Sequence, residues 1–270
     1  MTLQSATTRA LAVAGVTLSL AVTVQAQRVE REAFTWAGSI PDGRWIVVRN
    51  LNGRVEVTRG SGDKVEVIAT RRTRRGDPNY VRFEVHKFGA AGQNVLICAL
   101  WGDYSDCDED SYRSRSDSRR ARENEVTVDF SVRVPKGVKV GAHAINGDVR
   151  VEDAAAEVDA ESVNGSVVVS TVGGPVNART TNGSVRATMG KFDLTSDMRF
   201  SSVNGSVMVE FTGDIDADVE LQTINGRFVT DFPVTISGRI DPRRLRATLG
   251  KGGPRIRLST VNGNVELRKR

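Results

Sequence analysis

The chain has 270 residues, of which 26% are charged, and its formal net charge at pH 7 is +5. This length allows one large domain or two small ones. Such a weak positive charge is weak evidence for any anionic partner. Two cysteines are too few for a structural zinc site.

The N-terminus has the features of an export signal. Arg9 is the only charged residue before the apolar run 11–24, which leads to a small residue, Ala26. The run is too short to span a bilayer comfortably. We therefore expect residues 1–26 to be a signal peptide that is cleaved between Ala26 and Gln27. An uncleaved membrane anchor is the alternative.

The mature chain, residues 27–270, contains a recurring Asn-Gly motif. Five of its seven copies are spaced 18 to 22 residues apart. The pairs are Asn52-Gly53, Asn146-Gly147, Asn164-Gly165, Asn182-Gly183, Asn204-Gly205, Asn225-Gly226 and Asn262-Gly263. A period of this length predicts a repeat architecture. Apolar and polar residues alternate around each pair, which predicts two short strands with one buried face in each copy of an all-β protein.

Asn-Gly is common in two-residue β-hairpins, but the flanking residues do not fit one. The residue before Asn is usually apolar and the residue after Gly polar, as at Val163 and Ser166, although both would share a face of a tight hairpin. We therefore expect a single-domain β-solenoid (a β-helix) in which each Asn-Gly pair is a turn and each coil stacks on the previous one. The asparagines would form a hydrogen-bonded ladder, and the glycines would supply positive φ angles. A meander with wider loops is the alternative.

The repeat lapses twice. Strand-like runs persist between Asn52 and Asn146, and they predict irregular N-terminal coils or a capping sheet. Residues 231–254 are locally basic and predict a coil with an extended hairpin or loop.

Cys98 and Cys107 lie nine residues apart. In the oxidising environment of an exported protein we expect them to form a disulfide that pins a loop to its strand. Two free thiols are the alternative. The segment 102–124 that contains Cys107 is polar and charge-rich, which predicts a flexible loop.

Several acidic residues in this loop could supply the carboxylate oxygens that Ca²⁺ prefers. They are Asp103, Asp106, Asp108, Glu109 and Asp110. Their spacing lacks the glycine and the distal glutamate of an EF-hand loop. We expect instead a solvated loop whose acids balance nearby arginines, and we predict no metal and no cofactor.

The sequence contains no recognisable catalytic constellation. His86 and His143 have no nucleophile or metal partner nearby in sequence, so we expect both to be solvated. Outward-facing residues change from one repeat to the next without a concentrated charged cluster. This pattern argues against an enzyme that cleaves polysaccharide, and we predict no catalytic residues.

Three stretches carry a resemblance to a known family. They are VVRNLNGRVEVTRGSGDKVEVIATRR (47–72), the repeated VNGSV, and GKGGPRIRLSTVNGNVEL (250–267). Together they resemble the bacterial DUF4097 family of adhesin-like proteins, which is related to the β-helical head domains called GIN. The resemblance covers nearly all of residues 40–270. It implies a β-helix and an adhesin-like role, and it supplies no catalytic residues.

These observations predict an exported, non-enzymatic, adhesin-like module of the periplasm or cell surface. Its partner would be an envelope macromolecule, either polysaccharide or protein, and the mature chain would have no membrane span. The export signal argues against nucleic acid. Two alternatives remain: a polysaccharide-acting enzyme that uses the acidic group at 103–110, and a scaffold that assembles with copies of itself.

Overall fold

The computed structural model describes residues 30–113, 123–190, 194–234, 241 and 243–270. The predicted signal peptide, residues 1–26, lies outside the described residues, and so does the predicted cleavage site between Ala26 and Gln27.

The described residues are all-β with almost no helix, which confirms the predicted all-β class; a short 3-10 turn lies at Pro78–Tyr80. The strands are β1 (Glu30–Gly38), β2 (Trp45–Asn52), β3 (Val55–Arg59), β4 (Val65–Arg75), β5 (Val81–Phe88), β6 (Asn94–Trp101), β7 (Asp106–Cys107), β8 (Tyr112–Arg113), β9 (Glu125–Val134), β10 (Lys139–Asn146), β11 (Val149–Ala154), β12 (Val158–Asn164), β13 (Val167–Thr171), β14 (Val176–Asn182), β15 (Val185–Met189), β16 (Met198–Ser201), β17 (Val207–Phe211), β18 (Ala217–Asn225), β19 (Phe228–Thr230), β20 (Arg244–Leu249), β21 (Arg255–Asn262) and β22 (Val265–Lys269).

Twenty of these strands form two ten-stranded sheets. The first sheet has the order β1-β4-β9-β3-β11-β13-β15-β17-β22-β19. The second sheet has the order β20-β18-β21-β16-β14-β12-β10-β2-β6-β5. Strands β7 and β8 pair with each other in a separate ladder.

The chain changes sheet at every Asn-Gly pair. A strand of the first sheet begins three residues after each of the seven asparagines, as β13 does after Asn164. The preceding strand, here β12, belongs to the second sheet. The strands on either side of an Asn-Gly pair are therefore not hairpin partners. Equivalent strands of successive repeats pair in parallel instead, so that Val158 faces Val176 and Asn164 faces Asn182.

The alternating valines form the core between the two sheets. The valine three residues after Asn is buried in six of the seven repeats, and burial of such a side chain stabilises the fold by about 1.5–3 kcal/mol. These residues are Val55, Val149, Val167, Val185, Val207 and Val265. Phe228 takes this position in the seventh repeat and is partly buried. One continuous hydrophobic cluster therefore extends across all the repeats.

The glycine of each pair is required by the close approach of the neighbouring backbone. A Cβ atom at Gly165 would collide with the carbonyl group of Gly147, and each of the other six glycines meets a backbone carbonyl in the same way. Positive φ angles occur at only four of the seven, namely Gly53, Gly183, Gly205 and Gly263. The close approach is therefore the requirement that all seven share, whereas the predicted positive φ holds for only some of them.

The N-terminal end of both sheets is built by β1 and by the residues between Asn52 and Asn146. Strand β2 pairs directly with β10, so these two asparagines are neighbours although the repeat lapses between them. The intervening strands extend the sheets, with antiparallel pairs β1–β4, β4–β9 and β5–β6 at the end.

The last repeat does not stack in chain order, so the expectation that each coil lies on the previous one is wrong here. Strand β21 pairs with β16 on one side and with β18 on the other. In the first sheet β22 likewise lies between β17 and β19. The outer side of β18 is occupied by the antiparallel strand β20, so only its inner side can accept β21.

Candidate binding groove

A disulfide joins Cys98 on β6 to Cys107 on β7, which confirms the predicted bond. It tethers residues 102–113, which we call the flap, to the outside of the second sheet. Leu96 and Leu100 are buried beside the disulfide in a small hydrophobic cluster that is separate from the main core. Residues 114–122 of the predicted flexible loop lie outside the described residues.

Two hydrogen bonds hold the C-terminal half of the flap, at Tyr112 and at Glu109. The Tyr112 hydroxyl donates to the carbonyl oxygen of Ala99 at 2.7 Å, and burial raises the pKa of Tyr112, so the hydroxyl keeps its proton. Arg49 on β2 donates from Nη2 to the carbonyl oxygen of Glu109 at 2.6 Å. The flap therefore forms a wall beside β2.

Next to this wall, a groove crosses the outer face of the second sheet. Its first section, of about 290 Å³, lies between the flap and strands β2, β10 and β12. Its second section, of about 560 Å³, continues over β14, β16 and β21. Trp45, Asp159 and Arg179 line both sections, so the two form one groove.

His143 and Asp159 meet in the first section, with Nε2 of His143 3.1 Å from Oδ2 of Asp159. Burial alone would raise the pKa of Asp159. The hydrogen bond with His143 and the positive charges of His143, Arg179 and Arg49 outweigh burial and hold this pKa below its ordinary value. The expectation that His143 is solvated is therefore wrong, since its side chain is 19% exposed and has a carboxylate partner.

Arg179 and Glu161 form a second pair one strand further along, with Nη2 of Arg179 donating to Oε2 of Glu161 at 2.8 Å. This hydrogen bond raises the pKa of Arg179. Lys139 binds Glu157 at 2.8 Å and also lies over the ring of Trp45, 5.4 Å from its centroid. Opposite charges thus alternate along this part of the groove.

Beyond the groove's second section, Glu220 on β18 is surrounded by arginines. Its side chain is 7% exposed and contacts Arg244, Arg246 and Arg257. Burial alone would raise the pKa of Glu220. Hydrogen bonds from Arg244 and Arg257, with their charges, outweigh burial and lower the pKa. One buried carboxylate therefore organises three cations at this end of the sheet.

The acidic residues of the flap do not assemble into a site. Asp108 accepts hydrogen bonds from the backbone and hydroxyl of Ser111 and from the backbone of Asp110, and these bonds lower its pKa. Asp106 faces Arg113 at 3.7 Å. Within the described ranges, no three His, Cys, Asp or Glu side chains lie close enough to hold one metal ion.

The charged groove corrects the expectation that the outward surface has no concentrated cluster. Its residues come from different repeats and meet only through the parallel register. His143, Glu161 and Arg179 each stand three residues before their Asn, and the register aligns them in one row. These residues share one position of the sequence repeat, so the sequence already contained the pattern. Only the strand pairing shows that they are neighbours. His86, by contrast, lies outside the groove lining and contacts Glu84 at 3.0 Å.

These features define the class of the protein: an all-β repeat protein with an extended charged groove across one sheet. The chain belongs to the Toastrack DUF4097 family, whose profile matches residues 120–268. No curated protein matches the chain. Among the described residues, no helix has the length and apolar character needed to cross a bilayer.

Three solved structures of bacterial proteins match this chain at low sequence identity. A candidate cell adhesion protein from Clostridium sporogenes ATCC 15579 is 7% identical, with a TM-score of 0.50 over 89% of this chain and 100% of its own. A candidate adhesin from Bacteroides fragilis NCTC 9343 is 8% identical, with a TM-score of 0.31 over 88% and 97%. A candidate adhesin from Parabacteroides merdae ATCC 43184 is 11% identical, with a TM-score of 0.20 over 87% and 96%. Only the first supports the fold assignment.

Proposed function

We propose that this protein is an exported, non-enzymatic binding module of the cell envelope, and that its groove holds an extended polysaccharide. The observation that carries this proposal is the continuity of the groove, in which Trp45, Asp159 and Arg179 join two sections. Neighbouring strands lie about 4.8 Å apart, so a groove from β2 to β21 extends over roughly 24 Å. This length suits several units of a polymer.

The scaffold that we propose for this groove is a β-solenoid with an Asn-Gly corner in each coil. Support comes from the alternation of successive strands between the two sheets and from the parallel register of equivalent residues. A stack of this kind presents a long, rigid face on which weak polar contacts repeat.

The chemistry of the groove favours recognition over catalysis. Trp45 offers an aromatic surface on which a sugar ring can pack, and the paired side chains around it offer donors and acceptors to hydroxyl groups. Hydrolysis of a glycosidic bond usually needs a carboxylic acid whose pKa is raised. The neighbouring cations lower the pKa of Asp159 and of Glu220, so both are poor general acids.

An envelope location is supported by the Cys98–Cys107 disulfide, since such bonds persist in oxidising compartments. The apolar run 11–24 is typical of an export signal. The similar structure from Clostridium sporogenes is described as a candidate cell adhesion protein, which agrees with a surface-binding role.

The test is binding of the purified protein to insoluble peptidoglycan and to lipopolysaccharide, with Trp45→Ala compared with Ile68→Ala. Ile68 is an exposed apolar residue on β4 of the first sheet, away from the groove. We expect saturable binding that Trp45→Ala weakens about tenfold or more and Ile68→Ala leaves unchanged. Circular dichroism would verify that both variants are folded. Equal effects of the two variants, or absence of binding to every fraction, would contradict the proposal. Release of soluble sugars that depends on the acidic group at 103–110 would instead support the enzymatic alternative.

A further inference from the structure

On the basis of this proposed function, we infer that the groove selects an acidic polysaccharide, whose carboxylates bind at a cationic subsite formed by Arg199, Arg255 and Arg257. All three line the second section of the groove, beside Asn177 and Trp45. The inference extends the proposed function from polysaccharides in general to one charge class, and it locates the residues that make the selection.

The subsite contains two like charges side by side. Arg199 on β16 is the direct cross-strand partner of Arg257 on β21, and like charges in this position repel each other. Arg257 has a carboxylate partner, because its Nη2 lies 3.1 Å from Oε1 of Glu220. Arg199 is exposed and makes no ion pair in the described part of the chain. A ligand oxyanion between the two would remove this repulsion.

The other carboxylates around the subsite already have partners. Glu157 binds Lys139, Asp159 binds His143, and Asp197 accepts the backbone N–H of Arg255 at 2.7 Å. Asp218, the cross-strand partner of Arg255, accepts a hydrogen bond from the Thr248 hydroxyl at 2.8 Å. None of them forms an ion pair with Arg199 or with the side chain of Arg255 among the described residues. The positive charge of these two arginines is therefore available to a ligand.

A second feature is that Glu220 satisfies the Arg257 guanidinium only in part. The Nε atom of Arg257 is buried and has no hydrogen-bond partner among the described residues. A buried donor without an acceptor costs free energy until one is supplied. Arginine binds carboxylates through two parallel N–H donors, a geometry that a neutral hydroxyl group cannot match. An acidic sugar would offer this carboxylate together with a ring for Trp45.

The net charge of the chain does not reveal this cationic subsite, because a charge of +5 is spread over 270 residues. Arg186 on β15 shows the contrast. It is exposed and lacks an ion pair in the described ranges, but its cross-strand neighbours are Val168 and Met208. Arg186 therefore has no charged cross-strand neighbour, and it is a matched control for Arg199.

The experiment measures binding of polygalacturonate and of its fully methyl-esterified form, which keeps the sugar backbone and removes the charges. It compares the unmodified protein with Arg199→Gln and Arg186→Gln. We expect the charged polymer to bind at least about tenfold more tightly than the esterified one, and Arg199→Gln to weaken binding about tenfold. Arg186→Gln should change it less than about twofold. Raising NaCl from about 0.05 to about 0.5 M should weaken binding of the charged polymer only.

Several results would overturn this inference. Equal affinity for the two polymers, absence of binding to polygalacturonate, or equal effects of the two arginine variants would each exclude the subsite. Arg199-dependent binding of inorganic polyphosphate without binding of polygalacturonate would assign the subsite to a phosphate polymer instead. The proposed function would survive these results if peptidoglycan or lipopolysaccharide binding still depended on Trp45. If the protein bound none of polygalacturonate, peptidoglycan and lipopolysaccharide, both proposals would be wrong.

Discussion

Asn262 lies directly beside Asn204, although 58 residues separate them in sequence: Nδ2 of Asn262 donates to Oδ1 of Asn204 at 2.8 Å. Asn225 donates to Asn262 in the same way, also at 2.8 Å. The row continues from Asn204 through Asn182 and Asn164 to Asn146. Each inner asparagine therefore donates one side-chain hydrogen bond and accepts another.

The position of Asn262 inside the row, out of chain order, can be tested by measuring the free energy of unfolding of two variants. Asn262→Ala removes two ladder hydrogen bonds and Asn225→Ala removes one. At about 0.5–1.5 kcal/mol for each bond, the losses should be about 1–3 and about 0.5–1.5 kcal/mol in urea unfolding. Asn177→Ala is the control, because this side chain makes no hydrogen bond within the described ranges. A greater loss for Asn225→Ala would contradict the observed order, since stacking in chain order would place Asn225 inside the row.

The glycines test the close approach of neighbouring repeats. In Gly165→Ala the new methyl group would collide with the carbonyl group of Gly147, and backbone atoms cannot move aside cheaply. We expect a loss of about 2 kcal/mol or more in unfolding free energy. Gly62→Ala is the matched control, because nothing lies within 4 Å of its Cβ position, and it should change stability by less than about 0.5 kcal/mol. Similar losses for both variants would show that flexibility, and not contact, is the reason for glycine.

From the lowered pKa of Glu220 we predict that the folded protein loses stability in acid. Its pKa in the folded protein lies below its ordinary value of 4.5, so the unfolded chain takes up a proton first as the pH falls. Its stabilising contribution is therefore complete above about pH 4.5 and is lost as the pH falls through the lowered value. Glu220→Gln should be less stable than the unmodified protein at pH 7, and the difference should shrink in acid. The urea unfolding midpoints of both proteins, measured across this pH range, give the difference in stability. A difference that does not depend on pH would contradict the stabilising role of the Glu220 carboxylate.

Because the disulfide tethers the flap to β6, we predict that the flap becomes mobile under reducing conditions. Without the bond, residues 102–113 would be held by non-covalent contacts, among them the hydrogen bonds of Arg49 and Tyr112 and the small cluster around Leu96 and Leu100. Closing a loop of this size stabilises a fold by about 2–3 kcal/mol. Dithiothreitol should therefore expose the flap to limited proteolysis, with cleavage products separated by mass spectrometry. The double variant Cys98→Ala, Cys107→Ala should be cleaved there without reductant and should not respond to it. Identical digestion of oxidised and reduced protein would show that the bond does not hold the flap.

Several features were determined by the sequence alone. The all-β class, the buried valine columns, the family and the Cys98–Cys107 bond could all be predicted. Each depends on a local property: strand alternation has a period of two residues, and the cysteines are close in sequence. Each Asn-Gly pair also marked a place where the chain passes from the second sheet to the first.

The tertiary structure alone decided which repeats are neighbours. Six of the seven repeats carry a valine three residues after the asparagine, and all seven carry the asparagine, so many stacking orders would bury a similar surface and form a similar ladder. The order is decided at the ends, where β20 covers the outer side of β18 and leaves its inner side to β21. The groove depends on the same pairing, because His143 meets Asp159, and Arg199 meets Arg257, only when their strands lie side by side.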